Sequence, residues 1–294
     1  MTSPPCTELR HHPLPWIAAA LAYWAASAAG HDIVSQAYGV LFETFGRQTM
    51  EHALNAMSIA SVAALAAVPL LGPRADLRRN ATLWAALLVL AFALDATLIV
   101  TNVERIHFPQ YAILGALLFA GLGDAAAVLV ACALLGLGDE FAQFALNAHY
   151  TKYLDFNDCL LNLAGAAMGM VAARILGFGL NVSRRTRQAG RAVALALAGL
   201  TAFACAAALA DGRFLFHHAP DGGFDPFPVV DGARRMVLSF VQSDGFWTVS
   251  EHGRRYHILS PQAGAALLAG LTALLIRLCE APGASRVRHA LTDA

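Results

Sequence analysis

The chain has 294 residues, 57% of them hydrophobic and only 14% charged, with a mean hydropathy of +0.54. Soluble domains carry roughly a quarter charged residues, so much of this surface must face lipid rather than water. Basic and acidic side chains balance at 20 each, which gives no reason to expect nucleic acid as a partner.

An apolar helix needs about 20 residues to cross a bilayer. Eight runs are candidate spans, near 13–30, 53–72, 81–101, 106–122, 124–139, 158–180, 192–210 and 262–279. They predict an all-α, polytopic transmembrane bundle. The first run follows a basic lead, so it reads either as a cleaved leader or as a retained span. Trp16, Tyr23 and Trp24 suit anchoring at the membrane interface and favour retention. Residues 31–52 are amphipathic, with Ile33, Val34, Ala37, Tyr38, Leu41, Phe42 and Phe45 at helical spacing. They predict a separate helix, lying on the outer surface or packed over the bundle. The fourth and fifth runs are short and meet at "GLGDA", a tight turn.

Residues 211–260 break the pattern. "HHAPDGGFDPFP" reads as a loop, and "RRMVLSFVQ", "FWTVSE" and "RRYHILS" as three short strands. The separators "SDG" and "HG" are hairpin signals. The prediction is a small extracytoplasmic β-rich meander capping the bundle. The chain then divides into N-terminal spans (1–80), a four-helix core (81–180), and two last spans carrying the meander (181–294). The five cysteines, Cys6, Cys132, Cys159, Cys205 and Cys279, show no metal-like spacing and read as small buried hydrophobes. No metal or other cofactor is predicted.

Loop charges give an orientation. Arg10, the group Arg74, Arg78 and Arg79, the group Arg184, Arg185, Arg187 and Arg191, and the pair Arg286 and Arg288 all fall on one side of an eight-span bundle. That side is expected to be the cytoplasm, with both termini there and the chain in the cell membrane. The opposite short loops hold only Arg47, Arg105 and Lys152, while 211–260 dilutes the bias with five more Arg.

Polar residues concentrate in 138–162. Glu140 and Gln143 sit at i and i+3 and share a helix face. Asp155 is a candidate N-cap for the sixth run, with Asp158 at the third helical position and Asn162 one turn further on. Gly165 and Gly169 continue that face as a GxxxG, which lets a neighbouring helix approach. Lys152, the sole lysine, is the nearest cation, and His149 reads as a solvated loop residue. His107 and Tyr111, at i and i+4, sit beside Glu104 and Arg105 at the matching end of the third and fourth runs. Asp95 lies inside the third run, either as a functional acid or in a salt bridge with Arg105. Together these residues predict a polar pocket at the outer membrane interface.

The pattern resembles the VanZ-like membrane proteins, whose signature reads roughly E-x-x-Q, then R-x5-D-x3-N-x2-G-x3-G. Glu140 and Gln143 match the first pair, and Asp158, Asn162, Gly165 and Gly169 the last four. Asp155, His107, Tyr111 and Leu114 fit further family positions. Lys152 replaces the family arginine, and the preceding loop is longer. The resemblance covers about 81–180. It implies a role in the cell envelope and a link to glycopeptide resistance of the teicoplanin type, but no particular reaction. Three functions remain open. The first is binding or modification of a membrane lipid, cell-wall precursor or glycopeptide in the outer pocket. The second is a membrane-embedded hydrolase or transferase using Glu140, Asp158 and His107. The third is a small-solute transporter using Asp95, Glu140 and Asn162. The absence of a nucleophile elbow, an HExxH or a Gly-rich phosphate loop weighs toward a non-enzyme. No oligomeric state follows from the sequence.

Overall fold

Runs of Ala, Leu and Val in a solvent that offers no hydrogen bonds leave the helix as the form that satisfies its own backbone. The computed structural model describes residues 13–73, 77–146, 154–216, 227–238, 245–250 and 253–280. They contain α1 (Pro13–Phe45), α2 (Arg47–Ala66), α3 (Leu77–Leu98), α4 (His107–Leu122), α5 (Ala125–Leu146), α6 (Phe156–Ile175), α7 (Arg184–Ala210) and α8 (Pro261–Glu280).

Each apolar run falls on a helix, but the expectation of eight spans is not met by length and composition. Among the described residues, α3, α5, α6, α7 and α8 are long and apolar enough to cross a membrane. With 16 residues, α4 is about 24 Å long, short of a hydrocarbon core of about 30 Å. The first half of α2 carries Arg47, Gln48, Glu51, His52 and Asn55. Nor do residues 31–52 form a helix of their own. Through Phe45 they continue the first run as one 33-residue helix, about 50 Å long. The break comes only at Gly46, whose φ of +75° lies in the left-handed region where a side chain is strained. Trp24 is not simply an interface anchor. Its indole N–H donates to the Leu135 carbonyl of α5 at 3.0 Å.

At the centre stands α6, with nearly every side chain buried, packed against α3, α4, α5 and α8. Glycine permits the closest of these contacts. A methyl on Gly165 would collide with the Phe108 backbone, one on Gly169 with Ala112, and one on Gly115 of α4 with Ala166 of α6. The α4 and α6 backbones therefore touch over two turns, as small-residue spacing permits. By contrast α7 is almost wholly exposed, showing Val193, Leu195, Leu197, Leu200 and Phe203. Its Cys205 is exposed too, against the expectation of a buried thiol; Cys132, Cys159 and Cys279 are buried, and Cys6 lies outside the described residues.

One end of the bundle collects arginines. Arg78 and Arg79 start α3, Arg184, Arg185, Arg187 and Arg191 start α7, and Arg174 and Arg277 lie in the last turns of α6 and α8. There Arg191 pairs with Asp124 at 2.8 Å and with Glu280, and Asp124 accepts the Ala127 N–H at the start of α5.

The opposite end carries residues 211–260, whose described parts do not form the predicted meander. Its strands are two residues long and make three separate ladders. β1 (Phe214–Leu215) pairs in parallel with β4 (Met236–Val237), while β2 (Val229–Val230) and β3 (Ala233–Arg234) form a hairpin. β5 (Thr248–Val249) and β6 (Arg255–Tyr256) pair across the predicted "HG" turn. In the β2–β3 hairpin Asp231 and Gly232 both have positive φ, 52° and 75°, the geometry a tight Asp-Gly turn needs. The segment is pinned to the helices. Val237 is fully buried, and the His257 N–H donates to Thr97 of α3 at 2.7 Å. Asn157 of α6 donates to the carbonyls of Leu98 (3.1 Å) and His257 (2.7 Å), and accepts from the Leu259 N–H (3.1 Å).

Gly169→Ala drives a methyl into the α4 backbone and should lower stability by about 1–3 kcal/mol, typical of overpacking. Gly199→Ala, at a position on α7 with nothing within 4 Å, should be neutral or stabilising, as thermal unfolding in detergent would show. Asn157→Leu strands three buried backbone groups, each costing about 1–3 kcal/mol. It should lower the unfolding midpoint and speed proteolysis within 211–260.

Candidate functional site

The site is built where α3 turns into α4. Thr101 and Glu104 form a reciprocal cap on a 3-10 turn, Asn102–Ile106. The Glu104 carboxylate accepts the N–H of Val100 at 2.8 Å and both the N–H and the hydroxyl of Thr101 at 3.0 Å. This turn delivers His107 as the first residue of α4, where it is 4% exposed. Its Nδ1 lies 2.9 Å from Asn162 Oδ1 and its Nε2 3.3 Å from Asp158 Oδ2. Both acceptors come from α6, one turn apart. Asp155 caps that helix, accepting the Asn157 N–H at 2.8 Å.

One turn along α4, the Tyr111 hydroxyl lies 3.3 Å from both the Leu135 carbonyl and Asp139 Oδ2 of α5. Glu140, on the next residue and 1% exposed, receives a long bond of 3.4 Å from Gln143 Nε2. Asp139 Oδ1 and Asn162 Nδ2 are buried and have no hydrogen-bond partner among the described residues.

Above this layer opens a cavity of about 730 Å³. The middle of α1 forms one wall with Tyr23, Ser27, His31 and Tyr38. Glu104, His107 and Gln110 form another, and Glu140, Gln143, Asp155 and Asp158 line the rest. Among the described lining residues four are carboxylates, two are histidines and none is Lys or Arg. The cavity therefore favours positive charge. Burial, and next the negative charge of Asp158, push the Glu104 carboxyl up to about 7, against the hydrogen bonds it accepts.

The predicted residues divide into groups. Glu140, Gln143, Asp155, Asp158 and His107 share the cavity, while Asn162 and Tyr111 lie beneath it and hold His107 and Asp139. Gly165 and Gly169 set the distance to α4. Asp95 is elsewhere. Arg105 grips its carboxylate with two bonds of 2.5 and 3.1 Å, and Arg254 donates to its carbonyl at 2.6 Å and its carboxylate at 3.3 Å. Asp95 does not line the cavity. Lys152 and His149 lie outside the described residues. Sequence reasoning passed over Asp139 and Asn157 and missed the α1 wall. The pattern Thr-x-x-Glu at 101–104 is a capping-box signal that would have fixed the position of His107.

A bundle with five apolar helices of spanning length, carrying its polar groups at one end of its core, is an integral membrane protein. Residues 40–177 match the family model described as VanZ/LLP1, so this segment, somewhat less than half of the chain, is VanZ-like. Searches of curated proteins and of solved structures gave no significant match. The matched segment runs from within α1 to just past α6, so it contains most of the site and leaves out α7, α8 and residues 211–260.

Glu104 gives a pH prediction. Its carboxyl titrates near 7 in the fold and near 4.5 when unfolded. Between those values the folded chain binds more protons at this position, so its contribution to stability falls as pH rises through that window. Glu104→Gln should flatten that slope in thermal unfolding measured from pH 4.5 to 7.5.

Proposed function

We propose that the protein binds the polar head of a cell-envelope amphiphile in the acidic cavity, at the exterior face of the cytoplasmic membrane. The observation that carries this reading is the cavity itself. Carboxylates from the 3-10 turn, α5 and the start of α6 converge in it, beside an apolar wall of α1, the 3-10 turn and α4 that includes Val34, Ile106 and Ile113. One end of that space suits a cationic or cation-bound head and the other an acyl chain. Clustering of arginines at the far end of the bundle supports the orientation, with the termini inside. The VanZ-like resemblance is what suggests a cell-wall precursor or a glycopeptide of the teicoplanin type as the ligand, and altered antibiotic sensitivity as the consequence.

A hydrolase or transferase is the second reading, favoured by the convergence of His107, Glu140 and Asp158. Against it, His107 is 4% exposed and its Nε2 faces the Asp158 carboxylate at 3.3 Å, so the ring is aimed at a neighbouring acid rather than at a substrate as a base. Transport has no such support, because Asp95 is neutralised by two arginines away from the cavity.

The test uses full-length protein in nanodiscs of native lipid. Glu140→Gln and Asp158→Asn should weaken binding of labelled lipid-linked precursor or teicoplanin at least tenfold and shift glycopeptide sensitivity in cells. Unchanged binding and sensitivity in folded variants would make the cavity a structural feature only. Turnover of the precursor by wild type, lost in Glu140→Gln, would replace binding with catalysis.

A further inference from the structure

We infer that His107, Glu140 and Asp158 form a site for a divalent transition-metal cation, with Zn²⁺ and Mn²⁺ the ions that suit it. This rests on the same cavity as the binding function, and it supplies that cavity with the positive charge its described walls lack.

Three observations converge. One donor atom from each residue lies within 4.8 Å of the others, and the three come from α4, α5 and α6. Ligands bound at about 2.0–2.2 Å to one ion lie roughly 3–4.4 Å apart. The 3.3 Å between His107 Nε2 and Asp158 Oδ2 is already such a spacing, and Glu140 needs a side-chain adjustment to close the third side.

Second, Asn162 Oδ1 receives the proton of His107 Nδ1 at 2.9 Å. This outer contact fixes the tautomer of a metal-binding imidazole and aims the Nε2 lone pair away from it. Nε2 then faces a carboxylate oxygen at 3.3 Å, a contact that needs a proton or a metal ion between the two atoms.

Third, Glu140 is 1% exposed, and among the described residues its one hydrogen bond is the long one from Gln143. A carboxylate so buried and so poorly partnered is costly. It lines the same cavity as the other two, so a cation there answers both it and Asp158.

The donor set selects the ion. One imidazole and two carboxylates, with no thiolate, suit Zn²⁺ or Mn²⁺ better than the all-oxygen ions Mg²⁺ and Ca²⁺. Three protein ligands leave coordination positions toward the cavity. A phosphate or carboxylate oxygen on an amphiphile's head would fill one, which lets an acidic pocket accept an anionic head.

The test takes full-length protein in nanodiscs, strips it with chelator and titrates it with Zn²⁺ or Mn²⁺. We expect one tight ion per chain, and a Mn²⁺ electron-spin-echo spectrum showing nitrogen coupling. Affinity should fall at least tenfold in Glu140→Gln and Asp158→Asn and about 10–100-fold in Asn162→Ala, and stay unchanged in Glu280→Gln at the other end of the bundle. His107→Asn should remove the nitrogen coupling. Each variant is first checked for an unchanged elution volume and unfolding midpoint. Wild-type uptake no greater than that of a Glu140→Gln, Asp158→Asn double variant would overturn the site. So would bound Mn²⁺ without nitrogen coupling. In either case a proton on Nε2, and no ion, bridges His107 to Asp158. Precursor or teicoplanin binding is measured separately on the stripped protein. Amphiphile binding by protein that takes up no metal would preserve the proposed function and remove the ion, while metal uptake by protein that binds no amphiphile even when loaded would do the reverse.

Discussion

The contact between the backbones of α4 and α6 decides where the chemistry of this protein can be. Gly115, Gly165 and Gly169 bring the two helices together without side chains between them, and the register of that contact places His107 opposite Asp158 and Asn162. A helix pair held apart by ordinary side chains would separate by several ångströms, and the 2.9 Å and 3.3 Å contacts of the imidazole would not form. In lipid such proximity is favourable because the apolar effect offers little to hold helices together, and close van der Waals contact does the holding. The glycines are thus structural residues with a chemical consequence one turn away.

The second constraint is the 3-10 turn between α3 and α4. Glu104 spends its carboxylate on the backbone of Val100 and Thr101, which sets the start of α4 and with it the side chain of His107. From the same turn, Arg105 reaches back to α3 and to Asn55 of α2 at 2.8 Å. Neighbouring residues of one short turn therefore serve different parts of the fold, one facing the cavity and the other locking the helices behind it.

Much of this was legible in the chain. Helix positions followed from apolar runs, because lipid permits few alternatives. The spacing of Glu140, Gln143, Asp158 and Asn162 placed each pair on one helix face. Other features were hidden for physical reasons. No local signal tells that the amphipathic residues 31–45 continue α1 rather than turn, since only Gly46 breaks the helix. Whether a run such as α4 truly spans depends on neighbours that cover its ends. The strand-like stretches of 211–260 had the right composition but pair with unforeseen partners, because a two-residue ladder is decided by what the bundle end offers. Asn157 looked like any polar residue at a helix start, and its three long-range bonds depend on chain more than fifty residues away on one side and a hundred on the other.

Asp95 shows how unequal the members of one ion cluster are. A single carboxylate answers two guanidinium groups, from Arg105 of the turn and Arg254 of the late extramembrane segment. Deleting either arginine leaves a matched pair. Deleting the carboxylate leaves two cations facing one another with only neutral acceptors, the Asp95 carbonyl, Asn102 and Asn55, to hold them, and the clasp on the late segment is opposed by their repulsion.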